Sequence, residues 1–305
     1  MSEIVAVFDT NSLPLAGPLN TNFWRSIFQL CKTTGIEPVL PEIVLHESMN
    51  LRMTRAAEAT ENLYSAINQL SKFTDAPSVY LPSVEDMGRD WEYELRSTFT
   101  VVPISGDDAL EALKREALRQ PPARGGVGAR DSAIWLTASR LASQGKVVNL
   151  ISKNTKDFAS DAQGGLHPKL QDDLLGAEGS VKYFTSIRGF MDSIATKVPA
   201  PALKSHAAQD VFSDVLREVA LEYLQSDDLD VAPEKVAISQ ARLSAVSSST
   251  AYLVSDTILA LVTGEATLVS EDGNDLLTLN FDAWVNFEPN GGPPTSAEII
   301  ESTLK

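Results

Sequence analysis

Residues 4–13 read IVAVFDTNSL. Five apolar residues, Ile4 to Phe8, stop on Asp9, Thr10 and Asn11. The apolar run predicts a buried strand, and the polar trio suits a turn or a helix cap. A second reading makes Asp9 one of several carboxylates gathered at the rim of a sheet. The remainder of the chain bears on that choice.

With 305 residues, 43% of them apolar, the chain can bury the core of one large domain or two smaller ones. No apolar stretch reaches the length that spans a bilayer, and the first apolar run lacks a basic lead-in, so neither a membrane partner nor a signal peptide is expected. The single cysteine, Cys31, allows no internal disulfide and suits a reducing, cytoplasmic setting. It falls near the end of a predicted helix, where a small buried hydrophobe is expected. Net charge is -16, which opposes a polyanionic partner if spread evenly. It is not spread evenly. Residues 1–200 carry 20 Lys and Arg against 24 Asp and Glu, whereas residues 201–305 carry 5 against 17. A nucleic-acid partner is therefore compatible with the first two thirds of the chain.

Along those first two thirds, short apolar runs alternate with helical patterns, as in a parallel sheet flanked by helices. Strands are predicted at 4–8, at IEPVL (36–40), at TVVPI (100–104) and at KVVNLIS (146–152). Pro38 predicts an edge position or an irregular start for the second of them. A long helix opens at Pro41, another covers VEDMGRDWEYELRSTF, and a third covers GDDALEALKREALRQ, where Asp108 and Glu111 fit a capping box. The loop PPARGGVGAR precedes a helix beginning at Asp131. Residues 196–209, with two prolines, predict a linker. They separate a domain over 1–195 from a smaller, acidic α+β domain over 210–305. In the latter a helix is followed by antiparallel strands in VAISQARLSAV, TAYLVSDTILALVTG, EATLVS and LLTLNFDAWVNFEP, the last two joined by the turn EDGND. Trp24, Trp91, Trp135 and Trp284 are expected in the core.

Four acids occupy informative places. Asp9 and Asp157 follow predicted strands, while Glu47 and Asp131 lie near the starts of helices. In an open parallel sheet, strand ends and the following helix starts share one rim, where ligands bind. Each acid alone has an ordinary reading, as a cap, a solvated helix residue or a turn residue. Gathered together, they would repel one another unless a cation sat among them. An all-oxygen donor set points to Mg²⁺ or Mn²⁺ rather than zinc, and the three scattered histidines offer no zinc site.

The order FDTN, PEIVLHE, ARDSAIW and ISKNTKDF resembles the PIN-domain nucleases, in particular the larger bacterial members with a C-terminal extension. The likeness covers about the first 190 residues. It implies an α/β/α sandwich around a central parallel sheet. It also implies a metal-dependent phosphodiesterase, most often a ribonuclease, free-standing or acting as a toxin or defence effector. Asp9, Glu47, Asp131 and Asp157 would be the catalytic, metal-binding acids. Thr10, Asn11, Ser152 and Asn154 would hold those carboxylates in place. Single-stranded RNA is expected ahead of DNA as partner. An inhibitor or partner protein on the acidic C-terminal domain, and a homo-oligomer, are further expectations.

Arg124, Arg130 and Lys153 flank the motifs and are expected to contact substrate phosphates. The glycines between the two arginines form no P-loop, because no Lys-Ser or Lys-Thr follows at the required spacing. Two other readings stand beside the nuclease. A catalytically weak PIN module would bind RNA or protein without cutting it. A phosphotransferase of the haloacid-dehalogenase type also has an Asp after its first strand, but it wants a second Asp at position 11, where this chain has Asn.

Overall fold

The computed structural model describes residues 2–14, 17–75, 78–160, 165–203, 205–225, 238–270, 272–288 and 292–304. Lys204 of the expected linker, Glu271 of the EDGND turn, and residues 226–237 of the C-terminal stretch lie outside the described residues. Contacts divide the chain into two units. One comprises Met1–Leu19 and Cys31–Ser193, the other Asn20–Leu30 and Ile194–Lys305.

The first unit is built on a five-stranded parallel sheet, with β1 at Ile4–Phe8, β2 at Ile36–Pro41, β3 at Thr100–Val102, β4 at Val147–Ile151 and β5 at Ser180–Phe184. Their spatial order is β3-β2-β1-β4-β5. Helix α1, at Asn22–Thr34, falls mostly in the second unit; the helices of the first are α2 at Glu42–Leu70, α3 at Val84–Thr98, α4 at Gly106–Ala117, α5 at Ala129–Ser143, the short α6 and α7 at Thr155–Phe158 and Pro168–Asp172, and α8 at Ile187–Ile194. This is the PIN-like α/β/α core. β1 runs through its centre, and Val5, Ala6, Val7 and Phe8 are fully buried. A strand covered on both faces needs an unbroken apolar run, which IVAVF supplies. Phe8 meets Phe99 and Phe190 edge-to-face, at 5.3 and 6.4 Å between centroids.

Two local expectations change. β2 is an inner strand, yet β3 pairs only with Val39, Leu40 and Pro41. Pro38 lies beyond the reach of β3, so its missing N–H removes no bond to that strand, while on the other side it stands opposite Ala6 of β1. The cap of α4 is Ser105, whose hydroxyl accepts from the Asp108 N–H at 3.0 Å. Asp108 instead accepts from Arg140 Nε at 2.8 Å. The helix starts one turn earlier than the Asp108–Glu111 pair predicts, because a serine was available there.

Buried polar contacts tie the helices together. Trp91 on α3 donates its indole N–H to Ser48 on α2 at 2.9 Å. Trp135 on α5 donates to Asp173 at 2.6 Å, and the same carboxylate takes Arg115 through two nitrogens at 2.8 and 3.0 Å. All four tryptophans are buried. Cys31 is fully buried too, and burial pushes its thiol up to about 12.

The second unit is an antiparallel sheet with α9, at Ser205–Gln225, and most of α1. Its strands are β6 at Thr196–Val198, β7 at Ile238–Val254, β8 at Thr257–Ser270, β9 at Asp275–Phe287 and β10 at Pro294–Leu304, in the order β10-β9-β8-β7-β6. One face carries the core, where Phe212 and Leu216 of α9 cluster with Ala241, Val262, Leu279 and Phe281. On the other face Trp284 stacks on Phe23 at 5.5 Å. Farther along that face, Ser247, Thr263, Glu265, Asn280, Asp282 and Glu301 line a shallow cleft of about 490 Å³. The stretch TAYLVSDTILALVTG is not one strand. It folds back at Ser255, which has a φ of 55°, to join β7 to β8.

Candidate active site

The register of the sheet builds the site. Phe8 pairs with Ile151, so the next residues, Asp9 and Ser152, emerge side by side at the carboxyl ends of β1 and β4. Asp9 is 3% exposed. Its Oδ1 accepts from the Thr10 N–H at 2.6 Å, and its Oδ2 accepts from Asn11 Nδ2 at 2.8 Å and Ser152 Oγ at 2.5 Å. Three donors on one buried carboxylate fix its orientation. Even so, burial pushes Asp9 up to about 6, with the charges of Asp131 and Glu47 adding to the rise and the Ser152 and Thr10 hydrogen bonds opposing it.

Glu47 reaches this rim from the second turn of α2. Its Oε2 accepts from Thr10 Oγ1 at 2.7 Å, and its Oε1 is paired with Arg130. Asp131 lies in the first turn of α5 and accepts from Asn154 Nδ2 at 2.9 Å. Its carboxyl is raised above the usual range, first by burial, then by the charges of Asp157 and Glu47, while Asn154 and Arg130 oppose the shift. Gly128 permits this placement. It caps α5 with a φ of 117°, and a Cβ there would stand 3.3 Å from both the Ala123 backbone and Asp131 Oδ2.

The structure thus brings Asp9, Glu47 and Asp131 within each other's electrostatic reach, and Asp157 within that of Asp131. The four supporting residues all bond to the acids or to each other. Asn11 also accepts from the Lys153 N–H at 2.8 Å, and Ser152 Oγ accepts from the Asn154 N–H at 3.1 Å. Arg130 stands at the rim on Glu47, and Lys153 is exposed beside Asn11. Arg124 turns elsewhere, bonding the carbonyl of Lys156. Among the described residues, no three His, Cys, Asp or Glu side chains already stand as a metal-holding group.

Sequence reasoning missed Tyr183. It donates to the Ser152 carbonyl at 2.9 Å, and burial, with the charge of Asp9 adding, raises its phenol. Its strand, SVKYF, alternates between exposed and half-buried residues and gives no strong apolar signal.

Comparison with curated proteins and with solved structures finds no match. The family profile described as PIN domain matches residues 7–158, a span that opens inside β1 and closes at Phe158, just past the last acid. PIN domains are generally nucleases, and the parallel sheet with flanking helices agrees with the profile. Through residues 7–158, the chain belongs to the PIN-domain family.

Proposed function

We propose that the protein is a metal-dependent nuclease that cleaves single-stranded RNA at the rim formed by Asp9, Glu47, Asp131 and Asp157. The observation that carries this reading is the geometry of the rim: a nearly fully buried Asp9, its carboxyl raised first by that burial and then by the charges of Asp131 and Glu47. Such an arrangement disfavours the charged state unless a cation shares the site. The donor set is entirely oxygen, which fits Mg²⁺ or Mn²⁺. Asp9, Glu47, Asp131 and Asp157 would hold the ion. When bound, it supplies a water of lowered pKa and neutralises charge that develops on the phosphate. The chain's own groups do the rest. Thr10, Asn11 and Ser152 aim Asp9, Asn154 aims Asp131, and Arg124, Arg130 and Lys153 supply cations for the phosphate backbone.

Within this proposal the parallel-sheet unit is the nuclease module, and the antiparallel-sheet unit, which takes in β6 and the start of α9 from the expected linker over 196–209, is an acidic module that takes a protein partner or inhibitor. A role as a cytoplasmic toxin or defence effector follows from such a design. A second reading, a PIN module that binds without cutting, is favoured by one observation: both Glu47 oxygens are already engaged, by Thr10 and Arg130. The deciding experiment incubates the purified protein with labelled RNA and DNA, with and without Mn²⁺. Mn²⁺-dependent cleavage of RNA, abolished in Asp9→Asn and Asp131→Asn proteins of matched fold, is the expected result. Undiminished cutting by either variant refutes the assignment, and RNA binding without cutting selects the second reading.

A further inference from the structure

Two of the arginine–carboxylate pairs among the described residues are of opposite character. Arg115, whose side chain is 11% exposed, grips Asp173 with two nitrogens, and Trp135 bonds the same carboxylate. That pair is built into the packing. Arg130, whose side chain is 65% exposed, holds Glu47 through a single nitrogen, whereas Glu47 is only 19% exposed and is kept in position by Thr10. In this pair the carboxylate is the fixed member and the guanidinium is the one free to leave. An exposed ion pair of this kind contributes only ~0.2–1 kcal/mol.

Arg130 is also the residue immediately before Asp131, on the first turn of α5. Wherever its guanidinium swings, it stays within one side-chain length of the acid rim. Its planar fork suits two oxygens of a phosphate as well as it suits a carboxylate.

Resting on the nuclease reading, we propose that Arg130 serves two anions in turn. In the ion-free protein it occupies Glu47 as a resident counter-charge. A divalent ion takes its place on Glu47, and the released guanidinium then binds a backbone phosphate of the nucleic-acid strand. Arg130 thereby couples metal occupancy to substrate binding at one site. No bond is made or broken in the exchange; one cation replaces another on the Glu47 carboxylate.

Titration calorimetry of wild-type, Arg130→Gln and Arg130→Lys proteins with Mn²⁺ tests the first half. Removing the competitor should tighten Mn²⁺ about two- to fivefold in Arg130→Gln, the factor corresponding to an exposed ion pair. Arg130→Lys should stay near wild type. Fluorescence anisotropy with an uncleavable phosphorothioate oligoribonucleotide tests the second half. Mn²⁺ should strengthen its binding to wild type and do so less in Arg130→Gln. Equal or weaker Mn²⁺ affinity in Arg130→Gln overturns the proposal, as does an unchanged effect of Mn²⁺ on oligonucleotide binding. A wild-type protein that binds no Mn²⁺ removes the underlying metal reading as well, an outcome distinct from a variant that matches a metal-binding wild type. Arg130 is exposed, so neither substitution threatens the fold.

Discussion

Two groups of carboxylates occupy this chain, and they differ in what surrounds them. At the parallel sheet's rim Asp9 is almost sealed from solvent, takes three hydrogen bonds and is raised first by that burial and then by its acidic neighbours. On the antiparallel sheet, Glu265, Asp282 and Glu301 line an open cleft among serine and threonine hydroxyls. Water can stabilise the second group cheaply, but the first depends on prearranged donors. A count of charges finds most of the net negative charge in residues 201–305. Burial and hydrogen bonding instead single out Asp9, with Glu47 and Asp131 hydrogen-bonded beside it.

Substitution at the rim should break the comparison most severely. Asp9→Asn or Asp131→Asn should lower Mn²⁺-dependent RNA cleavage about a thousandfold, the scale of several kcal/mol of lost charge stabilisation. Asp282→Asn or Glu301→Gln should leave the cleavage rate unchanged in the same gel assay. In the other unit, Phe281 is 3% exposed and packs on Phe212 at 5.1 Å. Phe281→Ala should destabilise that sheet by about 3–5 kcal/mol, read as a lower urea midpoint. A smaller effect is expected at Ser152, which touches Asp9 without being one of the acids. Ser152→Ala should reduce cleavage or Mn²⁺ affinity about 10-fold, toward the lower end for groups that orient a metal ligand.

The smallest expected effect is on pH dependence. Asp9 ionises at about 6 in the folded chain against 3.8 for the ordinary group, so the metal-free folded state binds more protons across that window. Its stability should fall as pH rises from about 4 to about 6. Asp9→Asn, which cannot ionise, should then unfold at a higher temperature than wild type at pH 7, by about 1–2 kcal/mol in calorimetry. A lower melting temperature for that variant would mean that Asp9 contributes to the fold rather than strains it.

The sequence revealed the rim because its parts sit at element boundaries. FDTN follows an unbroken apolar strand, ARDSAIW opens a helix, and ISKNTKDF closes the strand beside the first. Chain periodicity marks such boundaries directly. It did not reveal β10, where residues 294–303 are half-buried or exposed and none is buried, or the fold-back at Ser255, which has no glycine to announce it. Nor did it reveal that Phe23 stacks on Trp284, a pairing across more than two hundred residues that no local pattern encodes. Tyr183 and the bond from Arg130 to Glu47 belong to the same class, since side-chain direction decides both.

The Phe8–Ile151 pairing has a further consequence for how the chain must fold. Side chains alternate across a strand, so a slip of one position between β1 and β4 would turn Ser152 to the opposite face and leave Asp9 buried without one of its donors. A misaligned molecule would retain nearly all its apolar contacts yet lose its chemistry. Under the nuclease proposal, catalytic competence doubles as a proofreading signal for strand alignment, and a refolding experiment followed by RNA cleavage would detect errors that circular dichroism passes over.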